Sequence, residues 1–79
     1  MKICDAIRMR IKELSNETGK IEYMLVYHSG IPPSTVKNIL YGQSQNPGIV
    51  TIKKIADFYG VSMRTFYSSE VFNDLEQED

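Results

Sequence analysis

The segment that most constrains this chain is 25–42, LVYHSGIPPSTVKNILYG, which writes a helix, a tight turn centred on Gly30 and a second helix. Gly30 stands where the chain leaves one helix and bends sharply, a position that often needs φ > 0 and so suits a residue without Cβ. Pro32 and Pro33 forbid continuation of the first helix. They suit the opening turn of the next, where a missing N–H removes no helical hydrogen bond. The first helix is therefore expected over 21–29 and the second over 33–41, starting at Pro32 or Pro33. On a wheel of about 100° per residue, Val36, Ile39 and Leu40 share one side of the second helix, and Ser34, Lys37, Asn38 and Tyr41 the other. The outward side carries no Asp or Glu, so it can approach phosphates and base edges without like-charge repulsion. The plainer reading is that any small helical bundle shows an amphipathic helix with a few solvated polar residues.

Composition narrows the classes. Seventy-nine residues make one domain, burying only about 60% of the surface its unfolded chain exposes, so stability is expected to be modest unless it dimerises. An enzyme of ordinary size with a deep cleft has no room here. With one His and one Cys, no Ser/His/Asp or Cys/His set has a defensible spacing, so no catalytic residue is assigned. Neither G-x-x-x-x-G-K-[ST] nor G-x-G-x-x-G occurs. Cys4 rules out an internal disulfide and a Cys-based zinc site, and suits a reducing cytosol. His28 is expected to face inward beside Leu25, as a core or boundary residue. No metal and no cofactor is expected. No apolar run approaches ~18 residues and the N-terminus has no signal-peptide pattern, so the expected location is the cytoplasm.

The formal net charge of −1 is unevenly laid out. All nine Lys and Arg lie within 1–69, against Asp5, Glu13, Glu17, Glu22 and Asp57 as the only acids there, an excess of four. Glu70, Asp74, Glu76, Glu78 and Asp79 then make an acidic tail. A mildly basic body is compatible with nucleic acid and predicts modest, salt-dependent affinity. The tail reads equally as a solubilising end.

Along the chain, a first helix is expected over 3–17, with Ile3, Ile7, Ile11 and Leu14 on one stripe. Arg8, Arg10 and Lys12 read as lying off it, as solvated charges or, for Arg8 and Lys12, phosphate contacts. Gly19 is a stop signal, and Met24 is placed beside Leu25 in the next helix. After the 33–41 helix, GQSQNPG over 42–48 is a polar loop rich in turn formers. A helix over 49–59 buries Ile52, Ile55, Ala56 and Tyr59 and ends at Gly60. Ser62 caps a short fifth helix holding Met63, Phe66 and Tyr67. Val71, Phe72 and Leu75 keep helical spacing into the tail, which reads either as an amphipathic partner-binding segment or as a disordered end.

From Ile11 to Tyr67 the landmarks are Ile11, Leu14, Gly19, Leu25, Ser29-Gly30-Ile31, Ser34-Thr35-Val36, Ile39, Gly42, Asn46-Pro47, Ile52, Ile55-Ala56, Gly60-Val61-Ser62 and Phe66-Tyr67. Their order resembles the helix-turn-helix DNA-binding domain of the phage lambda repressor and Cro type, the XRE family. The resemblance implies an all-α fold, a compact five-helix bundle of the lambda repressor-like type. It places a DNA-binding domain over 1–69 and an acidic tail over 70–79, and implies a small bacterial or phage transcriptional regulator, a repressor in the first instance, that binds double-stranded DNA and is not an enzyme. The second motif helix would enter the major groove with Pro33, Ser34, Lys37 and Asn38 at base edges. Asn38 suits adenine and Lys37 suits guanine O6 or N7. Thr35, Tyr41, Gln43, Ser44, Gln45, Asn46 and Gly48 would hold the backbone, the last at a helix start whose free N–H groups favour anions. A homodimer through the fifth helix and tail (Phe66, Tyr67, Val71, Phe72, Leu75) would set half-sites about 10 base pairs apart.

Four positions depart from the family pattern. Glu22 stands where Gln is usual, and a carboxylate facing phosphate must turn away, cap its own helix or weaken binding. Val26 replaces a smaller residue at the helix crossing, a change expected to open the crossing angle slightly. Pro32 replaces a capping Ser, and Pro33 a polar base contact, which shifts reading onto Ser34, Lys37 and Asn38. The alternative from another class is a protein-interaction module, an antitoxin or adaptor, using Tyr23, Val26, Tyr27 and the segment of Val71, Phe72 and Leu75.

Overall fold

Each helix start and stop follows from a local signal, and together these set the architecture. In this computed structural model the structure describes residues 1–43 and 47–77; Ser44, Gln45 and Asn46 of the expected backbone loop, and Glu78 and Asp79 of the tail, lie outside the described residues. All regular elements among the described residues are helical: α1 (Ile3–Thr18), α2 (Leu25–His28), α3 (Pro33–Leu40), α4 (Ile49–Tyr59) and α5 (Met63–Phe66), with 3₁₀ turns at Glu22–Met24 and Glu70–Phe72. The fold is the expected five-helix bundle.

One core joins all five helices: Ile7, Ile11 and Leu14 from α1, Leu25 from α2, Val36 and Ile39 from α3, Ile52, Ile55, Ala56 and Tyr59 from α4, and Phe66 from α5. Ile31, in the turn before α3, completes it. Ser62 caps α5 by accepting a hydrogen bond from the Thr65 N–H at 3.0 Å. The end of α3 closes with the Gln43 N–H on the Asn38 carbonyl (2.8 Å) and the Gly42 N–H on that of Ile39 (3.3 Å). That paired closure needs a left-handed residue, and Gly42 supplies it at φ 76°. Tyr41 is consequently the cap rather than the last helical residue.

The stretch before Gly30 departs from the expected helix over 21–29. Its N-terminal residue, Ile21, offers no capping side chain, and the first turn tightens into Glu22–Met24, with the Met24 N–H on the Ile21 carbonyl at 3.0 Å. The inward face also lies elsewhere than expected. Leu25 is buried, Glu22, Val26 and Ser29 are half-buried, and His28 and Met24 are exposed. At about 100° per residue His28 falls well round from the line through Leu25, Val26 and Ser29. His28 is thus a surface residue, not a core one.

On α1 the buried stripe also shifts. Ile3 is 41% exposed, while Cys4 and Ala6 are buried in its place at the start of α1. Arg10, expected to be solvated, is 5% exposed. Its Nε donates to the Phe66 carbonyl (2.7 Å), its Nη2 to that of Thr65 (2.9 Å) and its Nη1 to Glu13 (3.1 Å). One guanidinium therefore satisfies the two carbonyls at the end of α5 and ties that helix to α1.

The tail segment folds back. Glu70–Phe72 packs on α1, and the Phe72 ring meets Phe66 and Tyr67 at centroid distances of 5.9 and 5.0 Å. Ser69 Oγ donates to Glu13 at 2.6 Å, and the Glu76 N–H donates to the Met1 carbonyl at 2.9 Å. The helical spacing of Val71, Phe72 and Leu75 is realised as one 3₁₀ turn followed by chain pinned to the N-terminus. Phe66, expected among dimer contacts, is 0% exposed inside its own core, so it forms no part of a free surface.

Candidate nucleic-acid interface

The turn between α2 and α3 is built from its own polar groups. Ser29 Oγ donates to the Leu25 carbonyl (2.6 Å) and accepts from the Ile31 N–H (3.2 Å), and Gly30 between them sits at φ 78°. Ile31, 4% exposed, anchors the turn in the core. From α4, Lys54 Nζ reaches the Gly30 carbonyl at 3.4 Å. These contacts fix the direction in which α3 leaves the turn.

Proline sets the start of α3. Pro32, at φ −54° and ψ 136°, is extended, and its carbonyl accepts the N–H groups of Thr35 (3.0 Å) and Val36 (3.1 Å). Pro33 is then the first helical residue, where its missing N–H has no helical role. With Val36 and Ile39 buried and Leu40 half-buried, Pro33, Ser34, Lys37, Asn38 and Tyr41 are all exposed. Ser34, Lys37, Asn38 and Tyr41 follow one another at spacings of three, one and three, which makes one continuous helical stripe. Thr35 is half-buried at its edge.

The stripe is free to bind. Among the described residues the ion pairs are Arg8–Asp5, Arg10–Glu13 and Lys53–Asp57, so Lys37 stands outside all of them. Ser34 and Asn38 make no side-chain hydrogen bond among the described residues. Glu22, the family departure most at odds with phosphate, is half-buried, and its charge acts on the Tyr59 phenol. Burial pushes that phenol up to about 12; the Ser15 hydroxyl beside it works the other way, and Glu22 adds to the rise.

Of the remaining sequence-predicted backbone positions, Gln43 and Gly48 are among the described residues. Gln43 is exposed just past the closure of α3, and Gly48 is the exposed N-cap of α4. Arg8, expected as a solvated charge or phosphate contact, is half-buried instead. It pairs with Asp5 and lies against Gly42, where an added Cβ would collide with its guanidinium.

Sequence reading left Tyr23 and Tyr27 without a place in the DNA site. Both are exposed, their rings meet edge-on at 5.3 Å, and their hydroxyls are hydrogen-bonded at 2.8 Å. Tyr27 lies on α2, which packs directly on α3, and Tyr23 lies one turn before it; the charge of Lys37 is felt at Tyr23. Their i, i+4 spacing was the available signal, but the hydroxyl contact depends on rotamers that no spacing specifies.

A helix-turn-helix family model matches residues 28–66, from the last residue of α2 through α5. Neither the curated proteins nor the solved structures hold a match to the chain. The matched stretch contains the turn, the exposed stripe of α3 and the start of α4. Residues 28–66 thus match the lambda repressor-type helix-turn-helix family, a family of DNA-binding regulators.

Proposed function

We propose that this protein reads a specific sequence of duplex DNA as a small transcriptional regulator, with repression the expected outcome. The observation that carries the reading is the stripe of Ser34, Lys37, Asn38 and Tyr41. It is exposed, contains no acid, and lies on a helix whose other side is locked into the core. Asn38 offers a bidentate pair to adenine, Lys37 reaches guanine O6 or N7, and Ser34 bonds either base type. Pro33 brings the start of α3 close to the bases by shape rather than by hydrogen bonds. Thr35, Tyr41, Gln43, Gly48 and the loop residues Ser44, Gln45 and Asn46 then contact the backbone and set register.

A homodimer would use Tyr67 and Leu75, since Phe66 is closed inside the core and Val71 and Phe72 are half-buried. The competing protein-interaction reading loses surface in the same way. Val26 and Phe72, two of its anchors, pack against the core.

The test is selection of duplexes from a randomised pool at two salt concentrations, followed by anisotropy on the enriched motif. A palindromic motif with salt-sensitive affinity is the expected result. Replacing Lys37 and Asn38 with Ala should then cost at least about tenfold in affinity while the far-UV spectrum stays unchanged, and the log–log salt slope should fall by about one. Unchanged affinity in that double variant would remove α3 from the interface.

A further inference from the structure

We propose that the hydroxyl pair of Tyr23 and Tyr27 is a phosphate-binding site for the DNA backbone, operating in the positive field of Lys37; this rests on the duplex-binding reading above. The two phenols are 61% and 64% exposed, yet they are ordered by each other. Four residues apart, they set their rings edge-on at 5.3 Å with 66° between planes and share a hydrogen bond of 2.8 Å. Whichever hydroxyl donates in that bond, the other keeps its own proton, so the pair offers solvent one O–H donor at a fixed place.

The surroundings select an anion as the acceptor. Lys37 acts electrostatically on Tyr23 and has no carboxylate partner among the described residues. Glu22, the acid next in sequence, is half-buried, and its charge is felt at Tyr59. The hydrogen bond with Tyr27 holds the Tyr23 phenol above its ordinary value, so it remains a neutral donor at physiological pH. Because the pair lies beside α3 and not on its stripe, a phosphate flanking the groove is the natural acceptor, and the bond is strengthened by the acceptor's charge.

The experiment uses the full chain and a fluorescent 20-base-pair duplex carrying the motif enriched from the randomised pool. Methylphosphonate replaces one phosphate at a time. Wild-type protein should lose about tenfold in affinity at one phosphate per half-site through this contact. The Tyr23→Phe, Tyr27→Phe double variant should bind the unmodified duplex about tenfold more weakly, and show no further loss at that same phosphate. Each single variant should lose less, because the remaining hydroxyl still donates. The salt slope should not change, since a neutral donor displaces no counterion, whereas Lys37→Ala lowers it. Both substitutions are at exposed rings, and an unchanged thermal midpoint confirms the fold. A double variant that binds within twofold of wild type, or that keeps the wild-type sensitivity at every phosphate, overturns this site and leaves the duplex-binding reading standing. Failure of the wild-type protein to retain any duplex at low salt overturns both.

Discussion

Along the seam between α1 and α5, polar side chains close on the protein itself. Arg10 holds the Phe66 and Thr65 carbonyls and Glu13, and Glu13 in turn accepts from Ser69. On α3 the polar side chains of Ser34, Lys37 and Asn38 open on solvent and find no such partners among the described residues. Both regions rest on amphipathic helices with comparable apolar stripes, so helix formation does not explain the contrast. What differs is whether a neighbouring element leaves backbone acceptors within reach. The short α5 ends in carbonyls that need donors, and a buried Arg meets that need; among the described residues nothing packs over the outward side of α3. Polar groups thus stabilise the fold in the first region and are left available for a ligand in the second.

The largest test of that contrast is Arg10. Arg10→Met keeps much of the volume but strands the two carbonyls and removes the partner of Glu13, and is expected to cost about 3 kcal/mol in urea unfolding. Arg10→Lys should cost less than Met but more than about 1 kcal/mol, because an ammonium cannot reproduce the fork that reaches two carbonyls. If Arg10→Met unfolds within about 0.5 kcal/mol of wild type, the seam is no different from an ordinary solvated surface.

Next in size is Gly42, where the two regions meet: it closes α3 and receives Arg8 from α1. Gly42→Ala forces a side chain into left-handed backbone, at a cost of about 1–2 kcal/mol, and displaces the end of Arg8. Asn tolerates that backbone better, so the order of stability should be Gly, then Asn, then Ala. Because the closure also fixes Tyr41 and Gln43, the Ala variant should lose DNA affinity as well as stability. A purely structural loss, with affinity intact at temperatures where both proteins are folded, would separate the closure from the interface.

How much of this was legible in the sequence depends on how local each signal is. The bounds of α4, the Ser62 cap and the polar stripe of α3 follow from spacing and from residues with one strong preference, and the structure has them as read. Arg10 was misplaced although it lies three residues after Ile7 and four before Leu14, next to the buried stripe; a charge at that position reads as solvated until the carbonyls of a helix more than fifty residues later are brought to it. His28 was misplaced because an uncapped helix start tightened to a 3₁₀ turn and the inward line passed through Leu25, Val26 and Ser29. By spacing Phe72 extends a partner-binding face, and only the return of the chain onto α1 shows that it packs on Phe66. The site divides in the same way. The side of α3 that faces out was readable from periodicity, while the Tyr23–Tyr27 bond depends on rotamers and the partial burial of Glu22 on tertiary packing.

The smallest expected effect concerns Tyr59, the exception on the packed side. Its hydroxyl is buried and has no hydrogen-bond partner among the described residues, while the neighbouring Ser15 hydroxyl donates to the Lys20 carbonyl at 2.8 Å. Removing an unpaired buried hydroxyl relieves a desolvation cost, so Tyr59→Phe should leave stability at neutral pH unchanged or raise it by up to about 1 kcal/mol. The alkaline limb gives a second reading. Because the fold holds the phenol up at about 12 against an ordinary 10.0, it binds the proton more tightly than the unfolded chain does. The resulting stabilisation is fully present below pH 10 and is lost as pH rises toward 12. Wild type minus Tyr59→Phe, measured by urea unfolding across that window, should therefore fall with pH, the other tyrosines cancelling in the difference. A loss of more than about 1 kcal/mol at neutral pH in the Phe variant would mean that the hydroxyl is bonded after all, and the packed side would then be satisfied without exception.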